Sequence, residues 1–129
     1  MATPTNNNCS LLLKTRKGLF RIDADDILYI ECEDYFCTLF MADGQRYDCT
    51  RKLSFFEERL QGSHFMLISR SLLVNMAQIA SLHHVKDKKW TAVLRSANGS
   101  TMELEIAYRR CSQVKAEYAA FTHDKGAFT

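Results

Sequence analysis

Between residues 10 and 106 the chain breaks repeatedly into short runs of β-branched, aromatic and aliphatic residues, each closed by a polar or glycine-bearing turn signal. Such runs are too short for buried helices, and the pattern predicts a fold of short paired strands. Runs at 11–15 and 18–22 flank the basic turn Arg16-Lys17. Asp25-Asp26 precedes a run at 27–32, and the polar break Glu33-Asp34 precedes another at 35–41. Asp43-Gly44, with a glycine free to take positive φ, predicts a two-residue hairpin turn into residues 45–50. Strands resume at 65–68, at 79–85, and at 90–94 after the turn Asp87-Lys88-Lys89. Asn98-Gly99 marks a further hairpin leading into 101–106.

The period changes in two places. Leu53, Phe56 and Leu60 fall at i, i+3 and i+7, one face of a short internal helix that Gly62 can end. A second amphipathic helix is expected over residues 107–121. Roughly eight or nine short strands with two helices make a mostly β fold. With 129 residues, one proline and no Gly/Ser-rich stretch, the chain reads as a single domain over 11–121. Residues 1–10 are expected to be a flexible lead-in and 122–129 a flexible tail.

Composition matters mainly for what it excludes. No apolar run approaches the roughly 20 residues needed to cross a bilayer, and the start lacks the pattern of a secretory signal. The expected setting is the cytoplasm, without membrane insertion. Five cysteines at irregular spacings, with no Cys-x-x-Cys, read as buried reduced thiols. Cys32 and Cys37 flank a hairpin turn, where a cross-strand disulfide is conceivable under oxidation. The four histidines have no ligand-spaced partners, and His83-His84 on a strand point to opposite faces. The five glycines form no phosphate-cradling loop. Asp25-Asp26 reads as turn chemistry. No catalytic residue, metal site or cofactor follows, and the chain does not read as an enzyme. Net charge is only +2, but it is unevenly spread. Residues 1–50 hold 5 Lys/Arg against 8 Asp/Glu, whereas residues 51–129 hold 12 against 7. That asymmetry suits an anionic partner for one part of the surface.

Arg70 stands between Ser69 and Ser71 inside the apolar stretch 65–75. Its fork of donors demands a partner, because burying it unpaired would be costly. Either it closes a turn on backbone carbonyls, or it faces out to phosphate or guanine. The ordered anchors Ile27-Leu28-Tyr29-Ile30-Glu31, a hairpin bearing Tyr35, a helix opening at Leu53, and Ser69-Arg70-Ser71-Leu72-Leu73-Val74-Asn75 followed by Ile79 resemble the LytTR DNA-binding family. That family carries a (His)-Arg-Ser-x-x-Val-Asn segment; Ser69 stands here where His is usual. The similarity covers about residues 11–121.

The resemblance implies a compact, antiparallel fold of about ten short strands with one internal and one C-terminal helix. It implies binding of double-stranded DNA through loops in successive major grooves, usually at directly repeated half-sites, with bending of the DNA and dimerisation upon it. Arg70 with Ser69, and Arg109 with Arg110, match contacting positions of the family. A third matching position falls on Cys37; a thiol cannot supply that contact, which would pass to Asp34 or Tyr35. Lys86, Lys88 and Lys89 crowd one hairpin tip and suit a phosphate clamp. Arg109 and Arg110 open the last helix, where cations oppose the helix dipole and an anionic partner would offset the cost. Asn75 is expected to satisfy backbone groups and not DNA. Two rival readings are a protein-interaction module and a single-stranded nucleic-acid binder. The second needs aromatics alternating with basic residues, which 36–40 does not provide.

Overall fold

The computed structural model describes residues 9–124. Residues 1–8 and 125–129, most of the expected lead-in and tail, lie outside that range. Ser10 already belongs to the first strand, and the last helix reaches Asp124. Ten strands occur: β1 (Ser10–Thr15), β2 (Gly18–Asp23), β3 (Ile27–Glu33), β4 (Phe36–Met41), β5 (Arg46–Cys49), β6 (Phe65–Ser69), β7 (Leu72–Asn75), β8 (Ile79–Lys86), β9 (Lys89–Arg95) and β10 (Thr101–Ile106). Helix α1 (Leu53–Arg59) follows β5, and α2 (Cys111–Asp124) closes the chain. Phe56 and Leu60 are buried as their spacing predicts, and Gly62 takes φ 83° just past the helix.

Every strand pairing is antiparallel. β1 and β2 form a hairpin, β5-β4-β3-β7-β6 a five-stranded sheet, and β10-β9-β8 a three-stranded sheet. The five-stranded sheet is the middle layer. On one side Ile27, Ile30, Leu39 and Leu73 join Leu11, Leu13 and Phe56 under the β1–β2 hairpin and α1. On the other, Tyr29, Met66, Ile68 and Val74 join Ala92, Leu94, Ile106 and Val114 under β8–β10 and α2. A sheet covered on both faces loses the in–out alternation of a half-exposed one. That is why β7, with Leu73, Val74 and Asn75 all buried, reads only as an apolar stretch in the sequence.

The Asp43-Gly44 hairpin is longer than expected. Met41 N–H donates to Gln45 O and Gly44 N–H to Met41 O, giving a three-residue connection with Gly44 at φ 94°. Ser96, Gly99 and Ser100 repeat the pattern, with Gly99 at φ 89°. In both turns an Asx side chain accepts the amide two residues on: Asp43 from Gln45, Asn98 from Ser100. The side chain thus favours the bulged three-residue turn over the two-residue one. The two turns also touch, Ala97 N–H donating to Ala42 O at 2.8 Å.

Asn75 fastens the layers together. Its side-chain amide donates to Ile27 O at 3.0 Å, and its carbonyl oxygen accepts from Ala77 N, capping the 3₁₀ turn Met76–Gln78 that carries the chain into β8. The residue is buried, so losing the donor strands a buried carbonyl at about 1–3 kcal/mol, and losing the cap costs about 1 kcal/mol more. Asn75→Ala should lower unfolding free energy by about 2–4 kcal/mol in urea titration. Asn75→Asp keeps the cap acceptor and cannot donate to Ile27, so it should also destabilise; wild-type stability in Asn75→Asp would show that the Ile27 bond contributes little.

Candidate nucleic-acid interface

Three connections meet at one end of the molecule. The β6–β7 turn is Arg70-Ser71, held by Ser71 N–H donating to Ser69 Oγ at 3.3 Å. The β3–β4 turn is Asp34-Tyr35, with Asp34 at φ 55°. They are tied by Cys32 N–H donating to Ser71 O at 2.9 Å, and they frame a cavity of about 640 Å³ shared by Arg70, Ser71, Asp34 and Phe36. The third connection is the 3₁₀ turn Tyr108–Arg110. It is docked by Ala107 N–H donating to Ile68 O at 2.9 Å, two residues before Arg70.

Arg70 is exposed and makes no hydrogen bond or ion pair among the described residues, so it does not close its turn on backbone carbonyls. Ser69 is half-buried; its oxygen braces the turn, leaving its O–H proton to donate outward. Tyr35, 62% exposed, stands at the tip of the neighbouring hairpin with Lys52 Nζ 4.9 Å from its ring.

Cys37 does not belong to this surface. It is 0% exposed, faces the core beneath β4, and is bonded to Cys32. The expected DNA contact there is therefore corrected: one step along the pleat would flip a side chain outward, and Cys37 points inward. The bond also corrects the reading of all five cysteines as reduced; Cys9, Cys49 and Cys111 are the free thiols.

Arg109 looks onto a second cavity, of about 350 Å³, shared with Lys88, Trp90, Tyr108 and Lys115. Lys88 Nζ lies 5.0 Å from the Tyr108 ring centroid, and Lys115 Nζ 4.3 Å from that of Trp90. The β8–β9 turn, with Asp87 at φ 51°, is braced by the His84 Nε2 contact to Asp87 O at 2.6 Å. Lys86 and Lys89 are opposite each other across this hairpin, a like-charge pair that an anion would relieve. Arg110 parts from its neighbour. It lines a different cavity, of about 470 Å³, with Glu57 and Glu117. The structure thus groups Ser69 with Arg70, and Arg109 with the Lys88 tip, while Arg110 faces α1. Among the described residues the one ion pair is Arg59–Glu58 at 4.0 Å, so the cations of both clusters lack carboxylate partners there. No three metal-ligating side chains converge among the described residues.

Trp90, Tyr108 and Lys115 were not singled out in the sequence. The packing of α2 against β9 brings them together, and no local motif records it. A single lysine on a helix reads as a solvated face.

A β-built domain that presents exposed cations from turns, without carboxylate partners among the described residues, is the class these features define. The chain belongs to the LytTR family: the model of the LytTr DNA-binding domain matches residues 17–118. Its fold is similar to the LytTr DNA-binding domain of a methyl-accepting/DNA response regulator from Bacillus cereus. That likeness has a TM-score of 0.66 at 19% identity and covers 84% of this chain and 95% of that one. No curated protein sequence matches. The chain is accordingly a mostly β DNA-binding domain of the kind that regulates transcription.

Trp90 is the single tryptophan, which makes it a built-in reporter of the second cluster. Titrating the protein with duplex DNA at low salt should change its emission, and raising salt should reverse the change. An unaltered emission alongside binding seen by anisotropy of a labelled duplex would place the DNA elsewhere.

Proposed function

We propose that this chain reads a specific duplex sequence by seating its turns in successive major grooves, and regulates transcription from that site. Arg70 and Arg109 reach guanine edges, where a guanidinium fork matches the paired acceptors. Ser69, Lys86, Lys88 and Lys89 hold phosphates, joined by Lys115 and the Tyr108 hydroxyl. Tyr35, at the tip of the β3–β4 hairpin, takes the contact that Cys37 cannot make. Arg110, turned toward Glu57 and Glu117, is assigned to holding α1 and α2 and not to DNA.

The observation that carries this reading is the placement of Arg70 and Arg109. They are two exposed arginines on separate turns, joined through the Ala107–Ile68 hydrogen bond and without carboxylate partners among the described residues. Surface cations usually find counter-charges or cost nothing to leave solvated. Arg70, Arg109 and the Lys86, Lys88 and Lys89 tip put such cations on the β6–β7, 3₁₀ and β8–β9 connections, which suits a polyanion. A protein-interaction module would not need that arrangement. The preferred site is two directly repeated half-sites, each read by one copy, with the two copies dimerising on the DNA. The setting is the cytoplasm; no helix among the described residues is long and apolar enough to cross a membrane.

If three to five phosphates are neutralised per copy, log affinity should fall with log salt at a slope of about −3 to −5. A duplex selected from a random pool supplies the preferred site. Arg109→Ala should then lose about 1–3 kcal/mol of discrimination between that site and random duplex, while changing the salt slope by at most about one. Lys88→Ala should weaken both duplexes nearly equally, and Arg110→Ala should leave both unchanged wherever its melting temperature stays near wild type. Like behaviour of Arg109→Ala and Lys88→Ala on both duplexes would remove Arg109 as a base reader. A flat salt response would remove duplex DNA as the partner.

A further inference from the structure

The end of the molecule that carries Arg70 continues past Tyr35 into a third group of cations, to which the contacts proposed so far assign nothing. The order of the five-stranded sheet, β5-β4-β3-β7-β6, fixes the order of the connections along that end. The 3₁₀ turn bearing Arg109 is joined beyond β6, through Ala107 and Ile68. The Arg70 turn comes next, between β6 and β7, and then the Asp34-Tyr35 turn between β3 and β4. Last stands the segment 50–52, which leaves β5 for α1. It lies on the side of Tyr35 away from Arg109.

The β1–β2 turn reaches the same place. Lys14 and Arg16 share a cavity of about 340 Å³ with Thr50, Arg51, Asp48 and Phe36. Phe36 also borders the Arg70 cavity, so the two adjoin at the start of β4. Three exposed cations line this cleft, and its one carboxylate is engaged, Asp48 Oδ1 accepting from Thr38 Oγ1 at 2.8 Å. The side chains of Lys14 and Arg16 make no hydrogen bond or ion pair among the described residues. Lys17 N–H donates to Thr15 Oγ1 at 3.0 Å, which braces the turn that carries Arg16. Arg51 and Arg59 lie over one ring, 4.3 and 4.5 Å from the Phe55 centroid. Like charges gathered on one ring repel, and an anion beside them offsets that cost. Lys52 Nζ, held 4.9 Å from the Tyr35 ring, links the cluster to the hairpin tip.

Spacing identifies the anion. Paired strands stand about 4.8 Å apart, which puts β5 about 14 Å from β7, where the Arg70 turn ends. At a rise of about 3.4 Å per base pair, that is the length of about four base pairs. A free phosphate would occupy one seat, whereas cations that continue the line of Arg109 and Arg70 fit a chain of phosphates. Glu31, Glu33 and Asp34 about the Arg70 cavity repel phosphate, so the backbone is received on the far side of the hairpin. We propose that the cleft between the β1–β2 turn and the start of α1 is a phosphate seat. It holds the DNA backbone about four base pairs beyond the bases met by Arg70, on the side away from Arg109. The proposal rests on the function proposed above. Arg16 and Arg51 carry the seat, with Lys14, Lys17 and Lys52 around them. None of them meets a base edge, so the seat lengthens the footprint and adds affinity without adding sequence preference.

The test uses the full chain and one selected half-site, in duplexes extended by about ten base pairs on neither side, on one side or on the other. Wild type should bind one extended duplex about tenfold more tightly than the unextended one, with a salt slope steeper by about two. Arg16→Gln with Arg51→Gln should abolish that gain. The same variant should bind the unextended duplex as wild type does and keep the preference for the half-site over random duplex. Lys14→Gln with Lys17→Gln, which leaves the Phe55 stack intact, should reduce the gain in the same way. Arg46→Gln with Arg95→Gln removes two exposed cations near the other end, controls for net charge, and should keep the gain. Melting temperatures near wild type show that each variant is folded. No gain from either extension, a gain that survives in Arg16→Gln with Arg51→Gln, or an equal loss in Arg46→Gln with Arg95→Gln would overturn the seat and leave the duplex reading intact. Absence of binding to every duplex by wild type would overturn both.

Discussion

One buried side-chain amide sets where the two halves of this domain stand. Asn75 sits at the point where the chain leaves the five-stranded sheet for the three-stranded one, and it binds backbone on both sides of that step. An aliphatic residue could fill the space, but it could neither donate to Ile27 nor cap the turn into β8. Everything from β8 onward, including the Lys88 tip and Arg109, is placed relative to β3 through that junction. The apolar contacts on either side of the middle sheet supply most of the stability. They are non-directional, however, and the amide fixes the registration.

From that junction the interface follows by strand direction. β3 and β6 run outward toward one end, and β4 and β7 return from it, so the Asp34-Tyr35 and Arg70-Ser71 turns must lie side by side. The 3₁₀ turn bearing Arg109 is brought to the same end by the pairing of Ala107 with Ile68. The cations at this end stand on turns, while alternate residues of the strands behind them pack into the two cores.

How much of this was legible depends on how local the signal is. The helix at Leu53, Phe56 and Leu60 and the glycine hairpins follow from side chains a few residues apart, whereas Arg70 could be read either way until its turn was seen. The turn length at Gly44 did not follow, because it depends on what the Asp43 side chain accepts. β7 hid inside an apolar stretch because both of its faces are covered. Cys37 was misplaced onto the surface by alignment with the family; the pleat turns it inward, and Tyr35 is the exposed residue at that hairpin tip. Arg109 and Arg110 look equivalent in sequence, and only the 3₁₀ geometry sends them to opposite cavities. Trp90 and Lys115 meet across an interface between elements, which no spacing rule contains.

The two sheets are stapled at both ends, by Ala107 to Ile68 near the arginines and by Ala42 to Ala97 at the far end. Bonds at two separated points oppose opening and shear between the sheets. On the DNA reading, the separation between Arg70 and Arg109 is then a fixed ruler, and any mismatch with the groove spacing is taken up by the duplex. Base steps lying between the two contacts would influence site choice through their stiffness alone, without meeting a side chain. On that reading, such a domain would weigh its operator by how willingly it bends as well as by the bases it touches.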